Sequence, residues 1–142
     1  MDQGLLTYLQ MFITDRRKGL FKAALASRTR HFTVVTEDVY QLHNTSAVMR
    51  SCDVFGVQDL HVVEAQLGKR VDREIAMGAQ KWVDIYRHQN TISCLNKLKS
   101  EGYAIAATTP NGNAIDLHDY DIGQKTAFVF GTETEGVSPE VL

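Results

Sequence analysis

The chain has 142 residues and a formal net charge of −2, with 44% hydrophobic and 23% charged residues. These are the proportions of one globular domain, or one domain with an arm, able to bury a core without disulfide staples. Cys52 and Cys94 lie far apart, with no C-x-x-C or Cys/His ligand spacing. That pattern argues against a zinc site and a secreted disulfide scaffold, and no metal is expected.

No apolar run reaches the length needed to cross a bilayer. Met1-Asp2-Gln3 does not open a signal peptide, so a reducing, cytoplasmic setting is expected. Residues 1–30 read as a helical arm and residues 31–142 as the main domain. In the arm, Leu5, Leu6, Leu9, Phe12 and Ile13 stand near helical spacing. Thr14-Asp15 can cap a second helix running to about Ala26, with Leu20, Ala23, Ala24 and Phe21 facing inward. The arm holds six cations, Arg16, Arg17, Lys18, Lys22, Arg28 and Arg30, against two acids, whereas acids outnumber cations in the rest of the chain. A basic arm on an acidic body suggests a polyanion partner met by the arm; a solvated helix face is the plainer alternative.

Phe32–Glu37 is rich in β-branched residues and reads as a buried strand. After a polar connection, Asn44, Thr45 or Ser46 can cap a helix with Val48, Cys52 and Phe55 on one side and Arg50 on the other. Gly56 fits a left-handed stop. Then follow a strand at Asp59–Glu64, a loop at Gln66–Arg70 and a short helix at Asp72–Gln80. A weaker strand at Trp82–Tyr86 precedes a helix at Asn90–Ser100 with Ile92, Leu95 and Leu98 inward. Two further strands are expected at Tyr103–Ala107 and Thr126–Phe130. Strands alternating with helices predict an α/β fold with a mostly parallel sheet and helices on both faces.

In such a sheet the loops after Glu37, Ala107 and Phe130 converge on one edge, where ligands are held. The last is bounded by Gly131 and Gly136, which allow backbone close to a ligand. The dinucleotide fingerprint, the P-loop and the G-x-S-x-G elbow are all absent. Singly, Asn44 is a helix cap, Arg50 a surface arginine, Glu133 a loop acid and Thr108 a turn residue. Their joint spacing is what marks them.

The run from Arg28-Thr29-Arg30-His31 through His43-Asn44-Thr45-Ser46-Ala47-Val48-Met49-Arg50 to Phe55-Gly56 resembles the first motif of the SPOUT superfamily, TrmH (SpoU) branch. Phe128-Val129-Phe130-Gly131-Thr132-Glu133-Thr134-Glu135-Gly136 resembles its second motif. These proteins are RNA ribose 2′-O-methyltransferases, and the wording is closest to the tRNA guanosine enzymes. The resemblance implies a knotted, Rossmann-like SPOUT fold, S-adenosylmethionine as methyl donor, RNA (tRNA before rRNA) as substrate, and a homodimer with the site near the interface. It implies Arg50, Asn44 and Glu133 as catalytic residues, with Glu133 holding Arg50, and Thr108 and Gly131 at the cofactor. The arm cations would meet RNA. Neutral arginine is costly, so Arg50 is read as binding the adjacent phosphate and orienting the hydroxyl.

The family's third motif threads the knot and supplies much of the cofactor pocket. It does not occur before Val141-Leu142. The expectation is a longer protein of which this sequence is a part. The alternatives are a shortened form, or a short non-catalytic RNA-binding or assembly module; either would bind S-adenosylmethionine poorly.

Overall fold

A computed structural model describes residues 2–39, 42–64, 77–110 and 114–142, without the side chains of residues 42 and 43. Five strands form its sheet: β1 (Phe32–Glu37), β2 (Asp59–Val63), β3 (Asp84–His88), β4 (Ala104–Ala107) and β5 (Thr126–Phe130). Every pairing is parallel and the spatial order is β3-β2-β1-β5-β4. The central strands read as apolar, β-branched runs because both their faces are covered; β2 is buried at all five positions.

Successive side chains point to opposite faces, so the sheet divides the core in two. On one face Val35, Val63, Ala127 and Val129 meet Cys94, Leu95 and Leu98 of α4 (Thr91–Ser100). On the other, Leu60 and Val62 meet Met49 and Cys52 of α3 (Leu42–Val54). Burial pushes the thiol of Cys52 up to about 11 and that of Cys94 up to about 12, so neither is a nucleophile at neutral pH.

Two arm helices precede the sheet, α1 (Gln3–Gln10) and α2 (Asp15–Ala26), each capped as its sequence directs. Asp2 accepts from Gly4 and Leu5, and Thr14 accepts from Arg17. Neither buries a residue within this chain. The inward positions expected in α2 are therefore open, with Leu20 59% and Phe21 43% exposed.

The arm joins the body through residues 27–30. Thr29 bridges Val57 in parallel, and its amide donates to the Gly56 carbonyl at 2.8 Å. Gly56 has φ +74°, and a Cβ there would stand 2.3 Å from the Ser27 carbonyl oxygen. The left-handed stop thus also leaves room for the arm to cross. The same turn swings Phe55 outward to 78% exposure, against the expectation that it continues the buried face of α3.

Other differences are small. The third strand begins two residues later than expected, at Asp84. Ile92 is 57% exposed rather than inward. The inward face of α4 is set by Cys94, Leu95 and Leu98, and at about 100° per residue Ile92 falls roughly 110° from its centre. Asn44 lies inside α3, which begins at Leu42, so it does not cap the helix. The expected loop at residues 66–70 and most of the helix at residues 72–80 lie outside the described residues; Ala79–Lys81 forms a 3-10 turn.

Candidate active site

β1, β5 and β4 lie side by side, so the segments that follow them share one edge of the sheet. The last residue of β1 is an acid ending an otherwise uncharged run, Glu37, only 4% exposed. A buried carboxylate needs donors. Glu37 accepts from the Ser138 amide at 2.8 Å, from the Ser138 hydroxyl at 2.7 Å and from the Thr91 hydroxyl. It therefore ties the segment after β5 to the end of β1 and to the start of α4.

That segment is a closed turn. Thr132 and Gly136 exchange backbone hydrogen bonds of 2.9 and 3.0 Å. The Gly136 carbonyl occupies the place of a Cβ on Gly131, 1.8 Å away, and Gly136 has φ +73°. Both glycines thus serve the closure of the turn itself, where the sequence suggested room for a ligand. The Thr132 hydroxyl accepts from the Glu135 amide at 3.0 Å.

The turn presents Glu133 to α3. The side-chain amide of Asn44 donates to Glu133 Oε1, joining positions 89 residues apart in the chain. The donated group must be the –NH2, because a carboxylate only accepts. Asn44 Oδ1 is thereby left as an acceptor with no partner among the described residues. Beside this pair lies a cavity of about 550 Å³, lined by Thr108–Pro110, by Phe130–Val137 and by Leu142. The Thr108 hydroxyl donates to the Val129 carbonyl at 2.9 Å, which pins the end of β4 to β5 while Thr108 stays in the cavity wall.

The sequence profile described as the SpoU rRNA Methylase family matches residues 31–142, the whole sheet and both loops of the site. The chain belongs to the SpoU family. It is 37% identical over 134 residues to the tRNA (guanosine(18)-2′-O)-methyltransferase of Borreliella burgdorferi, covering 94% of this chain and 62% of that protein. Among solved structures, the A. aeolicus TrmH/SpoU tRNA modifying enzyme superposes with a TM-score of 0.79 at 31% identity. That match covers 89% of this chain and 65% of the other. The SpoU methyltransferase AviRb of Streptomyces viridochromogenes, solved in complex with the cofactor AdoMet, shares the fold at a TM-score of 0.70 and 20% identity. Here the coverage is 84% of this chain and 47% of the other. The SpoU chain thus spans less than two thirds of the length of these relatives.

Of the three residues the family motifs single out, the SpoU fold joins two. Arg50 follows Asn44 by six residues in α3, about 9 Å along the axis and roughly a third of a turn around it. It is exposed and has no hydrogen-bond or ion-pair partner among the described residues. Glu133 does not hold Arg50 in this chain; it takes its bond from Asn44.

The arm cations divide as well. Arg28 pairs with Asp53, and Arg30 pairs with Asp59 and, at 2.7 Å, with Asp84. These two tie the arm to α3, β2 and β3, a structural duty the RNA-contact reading did not include. Lys18 pairs with Asp15 at 2.9 Å. Arg16, Arg17 and Lys22 are exposed and unpaired among the described residues. Sequence reasoning missed Glu37 and Ser138. The available signal was an acid ending a run of buried strand residues, which implies a partner to be found.

Proposed function

We propose that the protein methylates a ribose 2′-hydroxyl of RNA with S-adenosylmethionine, acting on a tRNA guanosine and working as a homodimer. The observation that carries this reading is the Asn44–Glu133 pair set beside the cavity at the carboxyl edge of β1, β5 and β4. The name of the 37% identical relative supports the substrate class. Exposed Leu9, Phe12 and Leu25 in the arm, with Val54 and Phe55 at the end of α3, support a second copy as their cover.

The cavity lining fits the proposed cofactor in kind. Threonine hydroxyls and turn backbone can meet a nucleoside and an amino-acid group, Pro110 and Phe130 offer apolar faces, and Glu133 and Glu135 balance a positive sulfonium. Bound there, S-adenosylmethionine supplies a methyl group on sulfur that an oxygen nucleophile can take. The chain's own residues then have to place that oxygen. Asn44 Oδ1, oriented by the bond its amide makes to Glu133, accepts from the 2′-hydroxyl and aims its lone pair. Arg50 binds the neighbouring phosphate by its planar fork. The hydroxyl proton leaves to that phosphate or to water, because neutral arginine is too costly to serve as base. The rate gain comes mainly from alignment.

The test is methyl transfer by the full-length protein to unmodified tRNA, followed by nucleoside analysis. The reading expects label in 2′-O-methylguanosine. Label on a base, or no label with RNA binding retained, contradicts it; the latter result returns the non-catalytic binding module.

A further inference from the structure

On the opposite half of the sheet, β2, β3 and α4 gather three metal-ligating side chains, of which His61 lies 27 residues or more from the other two in the chain. His61 sits in the middle of β2, His88 ends β3, and Cys94 lies in the first turn of α4. Their ligand atoms all lie within 4.8 Å of one another. His61 is 3% exposed and Cys94 is fully buried. We propose that His61, His88 and Cys94 form a binding site for a zinc-type divalent ion.

Two imidazoles and a thiolate are a zinc ligand set that leaves a fourth position for water. His61 Nδ1 and His88 Nε2 face each other at 2.9 Å. Two nitrogens on one tetrahedral zinc stand about 3.3 Å apart, so the rings need to part by only a few tenths of an ångström. Stacking fixes their orientation: His61 lies on Tyr86 at 4.9 Å between centroids and nearly parallel to His88 at 5.2 Å. Burial keeps His61 neutral, pushing it down to about 4, and lowers His88 as well, so both rings have a lone pair to give.

The charges around the cluster are mixed. Lys97 of α4 lies over the Tyr86 ring at 4.6 Å and faces both imidazoles, but Glu101 stands 3.9 Å from its ammonium. Glu37 faces Cys94 with negative charge. Binding is balanced as follows. The ring that now donates its N–H to the other moves that proton to its own far nitrogen. The Cys94 thiol gives one proton to solvent, and three bonds to the ion form. One proton is released per ion bound.

Chelator-treated full-length protein is titrated with Zn²⁺ and, as a spectroscopic probe, with Co²⁺. The site predicts one equivalent bound, one proton released, a thiolate-to-Co²⁺ charge-transfer absorption and a raised unfolding temperature. Cys94→Ala and His88→Phe should each weaken Zn²⁺ binding by about a hundredfold or more, at least the cost of losing an outer-shell partner, and Cys94→Ala should abolish the absorption. Cys94→Ser serves the same comparison if the alanine variant fails to fold. No uptake by the wild-type protein in excess Zn²⁺ overturns the proposal. So does uptake that is unchanged in these variants, which places the ion elsewhere.

Discussion

At the scale of single residues, the site depends on polar groups that satisfy one another at depth. Glu37 is the clearest case, because its carboxylate holds the Ser138 backbone and hydroxyl together with the Thr91 hydroxyl. Hydrogen bonds to a charged acceptor contribute about 1.5–3 kcal/mol each, and a glutamine would turn a donor toward donors. Glu37→Gln is therefore expected to lower stability by about 2 kcal/mol in urea unfolding; a loss below about 0.5 kcal/mol would show that the turn holds itself. Cys52 makes the opposite point. Its thiol, buried and pushed up to about 11, should not react with a maleimide in the native protein and should react once the protein is unfolded.

At the scale of elements, glycine is required where backbone closes on backbone or φ is positive, and dispensable on an open helix face. At Gly56 a Cβ meets the Ser27 carbonyl and φ is positive, so Gly56→Ala should cost about 2 kcal/mol or more. At Gly19, within exposed α2, a Cβ meets nothing within 4 Å, and Gly19→Ala should stabilise by up to about 1 kcal/mol. Thermal unfolding of the two variants checks both signs.

Legibility in the sequence also divides by element. β1 and β5 stand at the residues their apolar runs predict, because a strand buried on both faces is marked along its whole length. Ile92 and Phe55 depart from their expected faces for a different reason. Periodicity finds a helix face but neither its centre nor the point where the chain turns off it. Motif spacing marks Asn44, Arg50 and Glu133 as one group but assigns Glu133 to Arg50; its bond from Asn44 is visible only in the structure. Glu37–Ser138, Arg28–Asp53 and His61–His88 were not legible, because each joins positions 25 or more residues apart that only the tertiary fold brings together.

For the whole molecule, charge and apolar exposure point to two kinds of partner. Arg28 and Arg30 are occupied by the body, so under the proposed function RNA contact is assigned to Arg16, Arg17 and Lys22 of the six arm cations, with Lys18 beside them. Reversing the charge of those three should flatten the salt dependence of RNA binding by about two to three in log–log slope; an unchanged slope removes the arm from the RNA surface. Phe12 and Leu25, 71% exposed each, are the surface the proposed homodimer would cover, and sedimentation of a variant carrying Phe12→Ser and Leu25→Ser should then show a weaker dimer than wild type.

Under the proposed function Asn44 and Glu133 act as one unit on the ribose, and a double-mutant cycle on methyl transfer reads that directly. Asn44→Ala and Glu133→Gln should each reduce kcat by roughly a hundredfold, and the double variant should be little worse than the poorer single one. Fully additive losses, or a single variant with wild-type turnover, would contradict it.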